Sequence, residues 1–197
     1  MLEKSADIVS LAVCILGGAA VLVSYITVFG NEPTGFANSR FWGGISASTA
    51  YSIVPFQILA AFGFIAFSGY ALGILAPAPS TGVLSYLNGY ATTLLYATFF
   101  AASTIWPFTT LWFLNSPSPS VGHLMGAVSP LIVAAVTAML FTAGAFEADM
   151  HPIAVVGILL YSNVVVMADG VGWNAKFIWN HAYAAPAAVS NASRFGL

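Results

Sequence analysis

The chain has 197 residues, of which 59% are hydrophobic and only 5% charged, with a formal net charge of -2. Soluble domains carry about 25% charged residues, so this chain lacks the skin that an aqueous fold requires. Its four Lys and Arg residues (Lys4, Arg40, Lys176 and Arg194) leave no basic surface for a phosphate backbone, which excludes a nucleic-acid partner.

Taken in chain order, the first apolar run covers about 8–29. It exceeds the core of a cleaved signal and closes on Asn31-Glu32-Pro33, not on a small-residue cleavage site, so it reads as a retained membrane helix. Within it lies the single cysteine, Cys14, which excludes an intrachain disulfide and a cysteine-rich metal site. Leu11-Ala12-Val13 faintly resembles a lipidation box, but Val13 is too bulky for one. A polar loop over about 30–40 follows.

The second run, about 48–75, stops at Pro77-Ala78-Pro79, and the third, about 83–114, stops at Asn115-Ser116-Pro117-Ser118-Pro119. Paired prolines cannot continue a helix. The fourth covers about 121–146, and an acidic loop leads to the fifth, about 152–168, with Pro152 suited to a helix start. About 20 residues cross a hydrocarbon core, so five spans are predicted. Leu131-Ile132-Val133-Ala134-Ala135-Val136 is continuously apolar, whereas barrel strands alternate. The expected fold class is therefore all-α: a polytopic transmembrane helical bundle within one integral membrane domain, 1–197.

The tail, 169–197, mixes Trp173, Phe177, Trp179 and Tyr183 with Asn174, Lys176, Asn180 and His181. Aromatics beside a snorkelling lysine suit the lipid headgroup region. Asp169-Gly170-Val171-Gly172 is poor helix sequence, so a break there and an interfacial amphipathic segment beyond it are expected. With five spans, Lys4 stands on one side and Arg40, Lys176 and Arg194 on the other, which favours a cytoplasmic C-terminus. The sequon Asn191-Ala192-Ser193 would then stay unmodified.

Lipid tails are as apolar as leucine, so helices must associate through close packing and hydrogen bonds. Gly69/Gly73 and Gly122/Gly126 have GxxxG spacing, and Gly17-Gly18-Ala19-Ala20 offers a flat patch. Pro55, Pro107 and Pro130 lie inside apolar runs, each freeing a carbonyl that Gln57, Thr104, Thr110 or Ser129 is placed to meet.

Candidate pathway or ligand residues are Gln57, Asn88, Asn163, Asp169, Lys176 and His181. Asp169 leads as an ionisable group at membrane depth, although the expected break puts it near a helix end, within reach of water. A Schiff base on Lys176 is not adopted, because the lysine stands among interfacial aromatics. Glu147, Asp149 and His151 are weak metal candidates; a closed site wants another His or a Cys, which the topology denies them. Trp106, Phe108, Trp112 and Phe113 read as an interfacial belt.

No phosphate loop, nucleophile elbow or paired-carboxylate motif is present. No cofactor is assigned, no catalytic residue is named, and the balance is against an enzyme. The leading functional reading is a non-catalytic membrane subunit or scaffold packing with itself or with other membrane chains. Second comes a small transporter or channel with a pathway near the proline-bearing helices. Third is a membrane enzyme on a hydrophobic substrate, using Asp169, Asn174 and His181.

Overall fold

The computed structural model describes residues 2–31, 40–42, 45–76 and 89–184. Among them there are helices and no strands, and five helical stretches are long and apolar enough to cross a membrane. The chain is a multi-pass membrane protein built as an all-α bundle. Its helices are α1 (Leu2–Phe29), α2 (Ala47–Ala71), α3 (Gly89–Asn115), α4 (Val121–Glu147) and α5 (Pro152–Ser162), which continues without a break to Ala184. A short 3-10 turn, Arg40–Trp42, lies between α1 and α2.

Side-chain contacts set the directions of the helices. Ser10 meets Thr93 at 2.7 Å and Tyr25 meets Trp106 at 5.6 Å between ring centres, so α1 and α3 run the same way. Tyr96 donates to Ser68 at 3.3 Å while Phe64 packs on Phe99, so α2 runs against α3. Thr142 meets Ser162 at 2.6 Å, while Gly170 lies against Ala135, so α4 opposes α5. The bundle is ordered α1–α3–α4–α5–α2, with α2 swung away from its sequence neighbour α1 to lie along α5. Phe64, Phe67, Tyr96, Phe99, Phe100, Phe141 and Tyr161 fill its centre.

Burial ranks the helices. Of the most apolar window, 44% is buried in α4 but only 11% in α1, so α4 is central and α1 presents most of its surface to lipid. Leu16, Leu22 and Ile26 are exposed along it. In hydrocarbon that exposure costs nothing, because no water is there to be excluded.

Helix ends follow local chemistry. Ser120 caps α4 and exchanges hydrogen bonds with His123, a reciprocal arrangement that satisfies two otherwise orphaned groups. At the end of α2, Gly73 takes φ 70°, and the amides of Ile74 and Leu75 return to the Gly69 carbonyl. A methyl at Gly69 would strike the Leu75 side chain. Gly69 and Gly73 thus build a helix stop that folds the chain back on itself. Gly73→Ala should lower stability by about 1 kcal/mol, the cost of a Cβ in the left-handed region, read as a shift in the unfolding midpoint in detergent.

Close helix approach occurs elsewhere. A methyl on Gly63 would overlap the Gly157 carbonyl oxygen, and one on Gly157 would overlap that of Gly63, so α2 and α5 touch backbone to backbone. Gly17 accommodates the Phe100 ring, which joins the Gly17–Ala20 patch to α3. A methyl added at Gly126 would meet Trp112 at 3.6 Å, and one at Gly122 would meet, among the described residues, Ser120 at 3.5 Å.

The expected break at Gly170 or Gly172 is not formed. Residues Asn163–Trp173 wind as a π-helix, Asn174–Ile178 return to α, and Trp179–Ala184 are π again. Breaking the chain in hydrocarbon would leave backbone groups with neither water nor protein to bond, and that cost exceeds the roughly 1 kcal/mol penalty of each helical glycine. The wider π turn is tied by Asn174, whose Nδ2 donates to the Gly170 carbonyl at 2.9 Å. Gly170 lies so close to Ala135 that a Cβ would overlap it. The interfacial segment beginning at 169 is therefore replaced by a longer fifth span, Pro152–His181; residues 185–197 and the sequon lie outside the described residues.

Candidate functional site in the bundle interior

Continuation of the fifth helix moves Asp169 from an expected helix end to near the middle of the Pro152–His181 span. It sits in the π stretch, where such widened turns commonly accompany functional groups. Gly170 faces α4, and its neighbour Asp169 is half-buried. Trp173, one turn further on, packs edge-on against Trp106 of α3 at 5.2 Å. Trp106 packs on Tyr25 of α1 at 5.6 Å. Tyr25, Trp106 and Trp173 thus join α1, α3 and the fifth helix in one aromatic layer, one turn beyond Asp169.

The layer is held from outside the span. Trp173 is 3% exposed, and its Nε1 donates at 2.6 Å to the carbonyl of Phe41 in the 3-10 turn. Phe29 packs on Phe41 at 4.9 Å and on Trp106 at 6.2 Å. Arg40 reaches the end of α3, donating to Asn115 Oδ1 at 2.7 Å and to the Leu114 carbonyl at 3.4 Å. A cation at a helix C-terminus is favoured by the helix dipole.

Four buried polar atoms in the bundle have no hydrogen-bond partner among the described residues: Trp106 Nε1, Thr110 Oγ1, Tyr161 Oη and Asn174 Oδ1. Each such atom costs about 1–3 kcal/mol. Three of them lie near one another, whereas Tyr161 packs apart from them on Phe64 and Phe99. Trp106 and Thr110 are one turn apart on α3, and Trp106 and Phe113 meet Trp173 and Phe177, which bracket Asn174. Thr110, expected beside the carbonyl freed by Pro107, does not bond to it; Thr109 instead donates to the carbonyls of Ile105 and Trp106. Trp106 is buried, as is Phe113, whereas Phe108 and Trp112 are exposed. The expected aromatic belt therefore splits into an inner half and a lipid-facing half.

The remaining candidates do not join this site. Lys176 is exposed and makes no ion pair with Asp169, because on an unbroken helix the two stand about two turns apart. His181 bonds the Phe177 carbonyl at 2.9 Å and packs edge-on against Phe113 at 5.2 Å. Asp169, Asn174 and His181 are thus strung along one helix over about three turns instead of gathered about a substrate. Gln57 is half-buried on α2, and Asn88 lies outside the described residues.

Asn163 is exposed, and it lines a groove of about 390 Å³ between α2 and α5 with Phe56, Leu59, Ala60, Leu160 and Val164. The groove opens outward, so Asn163 is not on an interior surface. Glu147 and Asp149 are exposed, and Asp149 takes φ 46°. The His151 ring stacks on Tyr70 at 4.7 Å and caps α5 by accepting from the Ile153 amide. Among the described residues, no three His, Cys, Asp or Glu side chains form a group that could hold a metal ion.

Glycines 63 and 157, Tyr25, Tyr161 and Trp106 were not singled out as site residues by sequence reasoning. None carries a local signal, because each acquires its role from a residue on another helix. Comparison with protein-family models, with curated proteins and with solved structures finds no match.

Proposed function

We propose that this protein is a structural subunit of its membrane, without catalytic activity, that assembles with a second copy of itself through the α2–α5 face. The observation that carries the reading is Asn163. It stands at membrane depth on the outside of the bundle, surrounded by apolar side chains and bonded to none of the described residues. A carboxamide in hydrocarbon needs a partner, and interhelical hydrogen bonds from Asn are a recurrent source of membrane helix association. Asn carries both donor and acceptor atoms, so a two-fold contact lets Asn163 pair with its own copy, the self-complementary arrangement of a C2 interface. The outward apolar residues Phe56 and Leu59 frame that contact. The C-terminal end is assigned to the cytoplasmic side by Arg40, Lys176 and Arg194 against Lys4.

A pathway lined by Gln57, Asn88 and Asn163 is not favoured, because the outward position of Asn163 removes one wall of it. The test is subunit counting by photobleaching in liposomes over a range of protein-to-lipid ratios. Wild-type chains should dimerise, and Asn163→Leu should weaken the dimer about fivefold, the equivalent of roughly 1 kcal/mol. Monomers at every ratio, or a dimer unaffected by the substitution, would reject the reading. Acyl-chain occupancy of the groove would appear as the first of these outcomes.

A further inference from the structure

We propose that Trp106, Thr110 and Asn174 bind an internal water molecule between α3 and the fifth helix. The site lies inside the bundle, so it does not rest on the assembly reading, which concerns Asn163 on the outer face.

Three observations carry it. First, all three side chains belong to membrane spans and are buried: Thr110 is 0% exposed, Asn174 4% and Trp106 7%. Even so, Trp106 Nε1, Thr110 Oγ1 and Asn174 Oδ1 have no hydrogen-bond partner among the described residues. A polar group left unmet in an apolar interior is costly.

Second, the fold gathers them. Trp106 and Thr110 stand one turn apart on α3, and residues four apart share a helix face. Trp106 meets Trp173 at 5.2 Å between ring centres, and Phe113 on α3 meets Phe177 at 5.2 Å. Asn174 stands between Trp173 and Phe177 in the chain. All four rings belong, with Val128 and Leu131 of α4, to one buried cluster.

Third, the three atoms complement one another through water. The Asn174 carboxamide is oriented by its Nδ2, which donates to the Gly170 carbonyl at 2.9 Å; turned over, it would set oxygen against oxygen. Its Oδ1 can therefore only accept, Trp106 Nε1 can only donate, and the Thr110 hydroxyl does either. One water accepts from the indole, donates to the carboxamide and takes the remaining role toward the hydroxyl. A buried water makes about three such bonds.

The same set selects against other occupants. A metal cation would face the indole hydrogen, and an anion the carboxamide oxygen. An acyl chain would leave all three polar atoms unmet. Thr110 is five residues from the end of α3, about 8 Å of helix, which gives water a short route from the headgroup region.

Proton-detected solid-state NMR on the full chain in vesicles of deuterated lipid tests the proposal. Magnetisation should pass from water to the Trp106 indole proton, and far less to that of Trp173, which donates to the Phe41 carbonyl. Thr110→Val keeps the side-chain shape but removes one partner, and should lose most of the transfer to Trp106; Thr110→Ser should retain it. If Thr110→Val fails to fold, nitrogen–carbon distances in the wild type serve instead. Trp106 Nε1 should stand farther from Thr110 Cβ and Asn174 Cγ than a direct hydrogen bond permits. Transfer to Trp106 no greater than to Trp173, transfer unchanged in Thr110→Val, or a direct bond from Trp106 Nε1 to Thr110 or Asn174 would overturn the proposal.

Discussion

Gly63→Leu is expected to leave little folded protein in mild detergent, with Gly157→Leu matching it. The two glycines face each other across α2 and α5, and a Cβ on either would occupy the space of the other's carbonyl oxygen. Backbone cannot rotate out of the way as a flexible side chain can, so the helices must separate. Overpacking a core costs typically 1–3 kcal/mol, and here the cost should reach the upper end or exceed it. Separation also loosens the Phe64–Tyr161 contact, 4.7 Å between ring centres, that joins the same helices. Against a total stability of about 5–15 kcal/mol, that is a large fraction. Unfolding midpoints in a graded SDS titration would measure it. Gly63→Ala and Gly157→Ala should each destabilise, and the double variant should cost less than their sum, since the first already opens the gap. Gly18→Ala is the control, because its added methyl meets Phe100 at 3.9 Å, an ordinary contact. Equal effects at Gly18 and Gly63 would refute the backbone-contact account.

Trp173→Ala should cost on the order of 3 kcal/mol and should uncouple the turn before α2 from the fifth helix. The indole is buried against Trp106 at 5.2 Å and Phe177 at 4.4 Å, and its N–H holds the Phe41 carbonyl. In lipid the loss is mainly dispersion and the hydrogen bond, because the unfolded reference is already in an apolar solvent. Trp173→Phe separates the two terms: it keeps most of the ring packing and removes the donor, so about 1 kcal/mol should be lost. Thermal unfolding followed by tryptophan fluorescence gives the midpoint, and hydrogen exchange at Phe41 and Trp42 reports the turn. Trp173→Phe with the full effect of Trp173→Ala would place the energy in the hydrogen bond; no protection change at Phe41 would remove the coupling.

Much of the architecture was legible because it is local. Five apolar stretches announce five helices, and Asn115-Ser116-Pro117-Ser118-Pro119 ends one of them wherever it stands in space. Pro152 opened α5 for the same reason: a helix-start proline acts on its own turn. The candidate site was half legible. Asp169 was marked by charge at membrane depth, but its position was misread, since Gly170 and Gly172 look like a break until their neighbours are known. That stretch is an unbroken π-helix in which Gly170 lies against Ala135 of α4, and that approach between helices has no sequence spacing.

Composition and apolar length determined by themselves that this chain lives in a bilayer, because transfer of a side chain between water and lipid is a property of that side chain alone. Which glycine is an interface was settled only by the folded arrangement. Gly69 and Gly73 carry the right spacing and form a helix stop; Gly63 and Gly157 are far apart in the chain and meet across two helices. Spacing records what lies along one helix face, whereas packing depends on what stands opposite. The same holds for Asp169: its charge is written in the sequence, but its place inside an unbroken fifth span goes with the close approach of Gly170 to Ala135 on α4, which only the fold brings about.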